Sequence, residues 1–212
     1  MIIGVLKNPR VTLEMMVRRR RIWLATAVVA VWSCANCGLT LVVVLGGDLR
    51  SQFAGLPSAT LDQLASALKI LAPASAFLLP FLWWIGVSTI MLLATRLFGG
   101  RPDYTSMLTA VGMASVPWIV GYAIQIPVGV LQILLRGQET VLAGLGTLAL
   151  IVSLASLVWH MVLVIIGGRF AAGTNYRGAG ASCALTGLGC ATAGVVLMIS
   201  VLTLIFTLSG AR

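Results

Sequence analysis

Few side chains in this sequence could do chemistry, and the first is its single histidine, His160. It follows Trp159 inside an apolar run that extends from Leu142 to Ile166. An ionisable group in such an environment is costly to bury and often has a function, and histidine titrates near neutral pH. A neutral histidine with one hydrogen-bond partner is also ordinary, so the sequence leaves a functional and a structural role open.

The four cysteines form two pairs whose spacings place both thiols of a pair on one helix face. Cys34 and Cys37 are three residues apart, and Cys183 and Cys190 are seven apart. A structural metal site needs about four ligands, and nothing in the sequence shows that the two pairs meet. Cysteine in an apolar run commonly acts as a small hydrophobic residue. We therefore predict no metal site and no cofactor, and a redox or metal-binding role is the alternative.

Amide side chains also occur within apolar runs. Asn36 and Gln125, together with His160, could line a polar path through the molecule. The simpler interpretation is hydrogen bonding between helices, which contributes about 1 kcal/mol or less for each bond.

The sequence shows no motif of a common enzyme class. There is no Ser-His-Asp set, no phosphate-binding loop and no zinc-protease motif, and the five acidic residues lie outside the long apolar runs. We therefore predict that the protein is not an enzyme.

The composition is that of a membrane protein. Hydrophobic residues make up 59% of the chain and charged residues only 9%, whereas soluble domains carry about 25% charged residues. The formal net charge is +9. Because so apolar a chain has no soluble surface for nucleic acid, anionic lipid headgroups are the expected partner.

Five apolar stretches exceed the length of about 20 residues that crosses a bilayer. They lie at about 22–46, 70–95, 105–135, 142–166 and 183–208. These runs predict an all-α membrane domain over 22–212 with five transmembrane helices. Residues 1–21 precede it as an amphipathic, basic segment in the cytoplasm, where Val11, Met15 and Ile22 predict a short helix on the membrane surface. We expect a second surface helix over residues 60–69.

The turns and charges predict how the chain is oriented. Gly99 and Gly100 end one helix before Pro102, and a glycine-rich loop is expected over 167–182. Ten of the fourteen basic residues fall on the side of the N-terminus, which predicts that the N-terminus is cytoplasmic and the C-terminus outside. The candidate lipid-binding residues on that side are Arg18, Arg19, Arg20, Arg21, Arg101 and Arg169.

Small residues and a short repeat lead to two further expectations. The glycines expected to allow close helix contacts, within one chain or between copies, are Gly144, Gly146, Gly187, Gly189 and Gly194. The tripeptide Gly-Gly-Arg occurs at 99–101 and again at 167–169, each time followed by a tyrosine, which indicates an internal parallel repeat.

Several motifs resemble those of the Yip domain family, five-span membrane proteins that include bacterial members. The N-terminal resemblance lies in Asn8-Pro9-Arg10 before a surface helix. The central resemblance runs over residues 97–101, Tyr104 and Leu108, then 114–117. A third runs over residues 159–163, 167–169 and Ala184.

The resemblance implies an all-α membrane fold with a cytosolic N-terminus. Eukaryotic relatives act in vesicle traffic with small GTPases through longer cytosolic N-terminal regions, so we do not expect a GTPase partner for this chain. We predict a non-enzymatic protein of the bacterial inner membrane that organises the membrane or binds lipid, further copies of itself or other membrane proteins. The alternative is a small transporter or channel for a solute or lipid.

Overall fold

The computed structural model describes residues 2–46, 58–135 and 137–192. These three ranges consist of helices and the turns between them, with no strand. The helices are α1 (Ile2–Lys7), α2 (Pro9–Arg18), α3 (Ile22–Gly46), α4 (Ser58–Leu97), α5 (Tyr104–Ala114), α6 (Val116–Leu134) and α7 (Glu139–Ala172), followed by α8, which covers residues 176–192. The predicted all-α class is confirmed.

Four stretches of the described residues are long and apolar enough to cross a membrane. They are Ile22–Gly46, Ala65–Leu97, Tyr104–Leu134 and Glu139–Ala172. Only helices and closed barrels satisfy every backbone polar group within a bilayer, which is why such runs become helices. The predicted fifth span, 183–208, begins within α8 and ends outside the described residues, so the number five and the side of each terminus stay predictions, as does the division at residue 21.

The N-terminal helix α2 packs on the bundle through one of its two apolar faces. Val11 and Met15 are exposed, whereas Leu13, Met16 and Val17 are buried. The buried face contacts α5 and α7. The predicted short helix is present, and Val11 and Met15 lie on the face that points away from the bundle, so its place on the membrane surface stays a prediction.

Helix α4 is longer than the sequence predicted. The short helix expected over 60–69 is the first part of α4, which continues through Pro73 and Pro80 to Leu97. Each of these prolines lacks the N–H that would bind the carbonyl four residues earlier. The third span is instead broken at Ser115, where α5 ends and α6 begins, with Pro117 in the first turn of α6.

The turn after α4 agrees with its prediction, and the turn after α7 does not. Gly99 has φ +78° and ends α4, and the Asp103 side chain accepts a hydrogen bond of 3.1 Å from the Ser106 N–H at the start of α5. Gly167 and Gly168 lie within α7, and Gly173, with φ +63°, ends it instead. The two Gly-Gly-Arg tripeptides therefore have different conformations, which contradicts the predicted repeat.

Close helix contacts use different glycines from the predicted ones. A Cβ at Gly167 would lie 3.0 Å from Ala110 Cβ, and one at Gly112 would lie 2.8 Å from Ala25 Cβ. By contrast, a Cβ at Gly144, Gly187 or Gly189 would meet nothing within 4 Å, one at Gly146 meets only Gln132 Nε2, at 4.0 Å, and Gly194 lies outside the described residues. Helix α5 therefore approaches α3 at Gly112 and Ala25, and α7 at Ala110 and Gly167.

Candidate functional site

A cavity of about 570 Å³ lies between α3, α4, α6, α7 and α8. Its volume falls within the range of about 300–1,000 Å³ that is typical of small-molecule sites. Its lining contains no charged residue among those described. Apart from the indole groups of three tryptophans, its polar side chains are Asn36 and His160. The other lining residues are Trp32, Leu79, Pro80, Leu82, Trp83, Gly86, Val87, Ile90, Trp118, Leu157, Met161 and Cys190.

An aromatic stack forms one wall of this cavity. The rings of Trp32 and Trp118 are stacked, with centroids 6.1 Å apart and planes 12° apart. The His160 ring packs against Trp118 at 6.0 Å with a tilt of 49°. The indole N–H groups of both tryptophans are buried without a hydrogen-bond acceptor among the described residues.

His160 compensates for the break between α5 and α6. The backbone N–H of Trp118 donates to the Ser115 carbonyl at 3.1 Å, whereas in a continuous helix it would donate to the Ala114 carbonyl. That carbonyl instead lies 2.8 Å from His160 Nδ1. Because a carbonyl oxygen can only accept a hydrogen bond, Nδ1 carries the hydrogen and is the donor. The histidine is 4% exposed, and this bond satisfies a backbone group that the helix break leaves open.

Asn36 compensates for Pro80 in the same way. Since Pro80 has no N–H, the Ala76 carbonyl lacks its helical donor, and Asn36 Nδ2 donates to it at 2.7 Å. The Tyr122 hydroxyl donates to Asn36 Oδ1 at 2.8 Å. One amide therefore joins α3 to both α4 and α6.

Gln125 is separate from these two residues. Its Nε2 donates to Ser153 Oγ at 3.1 Å and links α6 to α7, and Gln125 is not among the residues that line the cavity. Of the three residues predicted to form a polar path, the structure brings Asn36 and His160 to one cavity.

The aromatic residues of the site were not predicted from the sequence. Trp32 lies four residues before Asn36 on α3, and Trp118 lies four residues before Tyr122 on α6. Residues four apart share a helix face. These two aromatic–polar pairs were the signal that could have indicated that α3 and α6 meet there.

The cysteines do not form a metal site in the described part of the chain. All four are free, and no group of three or more His, Cys, Asp or Glu residues is placed to hold a metal ion within those ranges. Cys183 lies 3.7 Å from the Met161 sulfur, and Cys190 lines the cavity.

The predicted lipid-binding arginines lie at one end of the bundle, which we call the basic end. It comprises the turns that follow α2, α4 and α7. Arg20 Nε lies 3.5 Å from Asp103 Oδ2, which joins the first two turns, and the Arg101 N–H donates to the Ala172 carbonyl at 2.9 Å, which joins the second and third. The side chains of Arg18, Arg19, Arg20, Arg21 and Arg101 are exposed there.

Arg169 is held differently from the other arginines. Its guanidinium carbon lies 4.2 Å from the centroid of the Tyr176 ring and 5.3 Å from that of Phe170. Its Nη1 is buried without an acceptor among the described residues. The two rings therefore fix the position of this cation at the end of α7.

Apolar helices that span a bilayer, joined by turns that gather arginine at one end, define a multi-span helical membrane protein. The family model described as the Yip1 domain matches residues 3–211. The chain therefore belongs to the Yip1 domain family, which confirms the resemblance seen in its motifs. No curated protein and no solved structure matches the chain.

Proposed function

We propose that this protein is a non-enzymatic membrane protein of the Yip1 family that organises the membrane by binding anionic lipid headgroups at its basic end. The observation that supports this proposal most is the convergence of three turns at the basic end: the first two carry exposed arginines, and the exposed Arg177 lies just after the third. Lipid phosphates are the anions available at that level of a bilayer. We further propose that the basic end faces the cytoplasm of a bacterial cell, since basic residues mark the cytoplasmic side.

The distribution of charge along the helices supports this assignment. Among the described charged side chains, Lys69 on α4 and Glu139 on α7 lie far from the basic end. They are 28 and 33 residues from Leu97 and Ala172, which is about 42 and 50 Å along the helices. Among the described residues, the exposed cations are therefore concentrated at one end of the bundle, and that end attracts anionic headgroups most strongly.

Within the basic end, Arg19 and Arg21 are the cations most available to lipid. Arg18 pairs with Glu14 at 2.9 Å, and Arg20 pairs with Asp103. Arg19 and Arg21 are exposed and make no ion pair among the described residues. Their charges are not offset by a neighbouring carboxylate.

The test measures which lipids the protein retains after mild detergent extraction from membranes of mixed composition. Replacing Arg19→Gln and Arg21→Gln together should weaken retention of anionic lipid by about 30-fold, because each arginine near the surface contributes about 1 kcal/mol. Native mass spectrometry of the extracted protein reports the ratio of anionic to zwitterionic lipid bound.

The matched control is Lys69→Gln, which removes one exposed cation at the far end of the bundle. It should leave the ratio close to that of the wild type. If Lys69→Gln reduces anionic lipid as much as the double change does, the protein responds to net charge alone and the basic end has no specific role.

A transporter is the second candidate, and the cavity with Asn36 and His160 in its wall is the observation that favours it. The hydrogen bonds of both residues to backbone carbonyls support a structural role for them instead. Flux of a solute through proteoliposomes that is abolished by His160→Phe would favour transport over membrane organisation.

A further inference from the structure

The cavity offers little to water. Asn36 uses its amide on the Ala76 carbonyl and the Tyr122 hydroxyl, and His160 donates Nδ1–H to the Ala114 carbonyl. The indole N–H groups of Trp32 and Trp118 have no acceptor among the described residues, but both nitrogen atoms are buried and present no donor to water in the cavity. A buried water needs two to four polar partners, and apolar cavities stay dry. The occupant that suits these walls is therefore apolar.

The mouth of the cavity lies at the depth of the lipid hydrocarbon. Leu79, Leu82 and Trp83 line the cavity and are 56%, 64% and 45% exposed. They precede Leu97, at the basic end of α4, by 14 to 18 residues, which is about 21–27 Å along the helix. The hydrocarbon core of a bilayer is about 30 Å thick. What meets this opening in a membrane is lipid tail.

The length of the cavity matches one leaflet. Along α4 its lining extends from Leu79 to Ile90, a distance of about 16 Å. Half of a hydrocarbon core is about 15 Å, which is the depth that one tail covers. Ile90 lies only seven residues, or about 10 Å, before the basic end. Along α4 the cavity therefore lies about 10–27 Å from the basic end, so the tail of a lipid with its phosphate at Arg96 or a neighbouring arginine reaches the half of the cavity nearest Ile90.

We propose that the cavity holds one acyl tail of an anionic phospholipid from the leaflet at the basic end, with Trp32, Trp118 and His160 forming the inner wall against which the tail packs. The choice of an anionic headgroup rests on the proposed function, because it uses the charge of the basic end. The choice of an acyl tail rests on the depth, length and lining of the cavity.

Gly86 provides a way to fill the cavity without disturbing the bundle. It lines the cavity, and a Cβ built on it meets nothing within 4 Å. A leucine at this position therefore extends into open space and occupies the volume assigned to the tail. Gly144 is the matched control, since its Cβ also meets nothing within 4 Å and it does not line the cavity.

The experiment uses the full chain in proteoliposomes that contain an anionic phospholipid with a photoreactive diazirine in its tail. After irradiation, peptide mass spectrometry locates the labelled residues. We expect label on Trp118 and His160 in the wild type and in Gly144→Leu, and loss of that label in Gly86→Leu. Because His160 is 4% exposed, label on it comes from a tail inside the bundle. Elution as a single species with unchanged thermal stability shows that Gly86→Leu is folded.

Two results would overturn the tail site. One is label on His160 that Gly86→Leu leaves unchanged, and the other is label confined to exposed residues such as Leu82, which would mean that another part of the chain fills the cavity. Neither result affects the retention of anionic lipid by Arg19 and Arg21. Equal label from a zwitterionic lipid with the same tail would overturn the anionic headgroup of the tail site, whereas the headgroup preference in the proposed function is decided separately by the retention assay on Arg19 and Arg21.

Discussion

Asn36 allows a direct test of how this bundle compensates for a proline inside a membrane helix. Its Nδ2 donates at 2.7 Å to the Ala76 carbonyl, the group left without a helical donor by Pro80. If this interpretation is right, the importance of Asn36 depends on Pro80. Restoring an N–H at position 80 should make the Asn36 amide partly redundant.

The expected magnitudes follow from the two hydrogen bonds of Asn36. Hydrogen bonds between transmembrane helices contribute about 0.6 kcal/mol on average and about 1.7 kcal/mol at most. Asn36→Ala removes the bonds to Ala76 and Tyr122, so the free energy of unfolding should fall by about 1–2 kcal/mol. In a Pro80→Ala background the restored N–H serves the Ala76 carbonyl, and the same change should cost about 0.5–1 kcal/mol less.

The assay is reversible unfolding in mixed detergent micelles of the wild type, both single variants and the double variant. Pro73→Ala is the matched control. Pro73 lies two turns away on the same helix and leaves the Lys69 carbonyl without its helical donor, whereas Asn36 donates to the Ala76 carbonyl. Its effect should add to that of Asn36→Ala within about 0.5 kcal/mol. Additive effects at Pro80, or equal coupling at Pro73 and Pro80, would refute the explanation.

Two further predictions concern packing and orientation. Gly112→Ala should lower the free energy of unfolding by about 1–3 kcal/mol, because its Cβ would lie 2.8 Å from Ala25 Cβ, whereas Gly86→Ala should have little effect, since its Cβ meets nothing within 4 Å; equal loss in both would contradict this account. Tyr104→Cys and Tyr176→Cys should react with a membrane-impermeant maleimide from the same side of the membrane, and labelling from opposite sides would exclude the predicted topology.

The apolar runs of the sequence were enough to predict the helices that cross the bilayer. In hydrocarbon each backbone N–H and C=O must be bonded within the segment, so a long uncharged run has one stable conformation whatever surrounds it. The turn at Gly99 was predictable for a similar reason, because its φ of +78° is a backbone conformation that glycine adopts without a steric clash. Local rules of this kind need no knowledge of neighbouring helices.

The same local rules gave the wrong result where a neighbouring helix decides the conformation. Gly167 and Gly168 were predicted to start a loop, but they lie within α7 because Ala110 and the Met91 side chain pack against their bare backbone. The buried face of α2 was likewise decided by neighbouring helices, since contact with α5 and α7 buries Leu13 and Met16 and leaves Val11 and Met15 exposed. The sequence does not distinguish a glycine in a turn from a glycine in a helix, or an apolar residue that packs on a neighbouring helix from one that does not.

The sequence by itself thus determined that this is a helical membrane protein, that it is rich in arginine, and where most of its spans lie, because hydropathy and length act along the chain. Only the tertiary structure decided that Asn36 donates to the Ala76 carbonyl and that His160 donates to the Ala114 carbonyl. It also decided that Trp32 and Trp118 stack beside a cavity. Those features depend on side chains from different helices meeting in space, and the order of residues along the chain does not specify which helices meet.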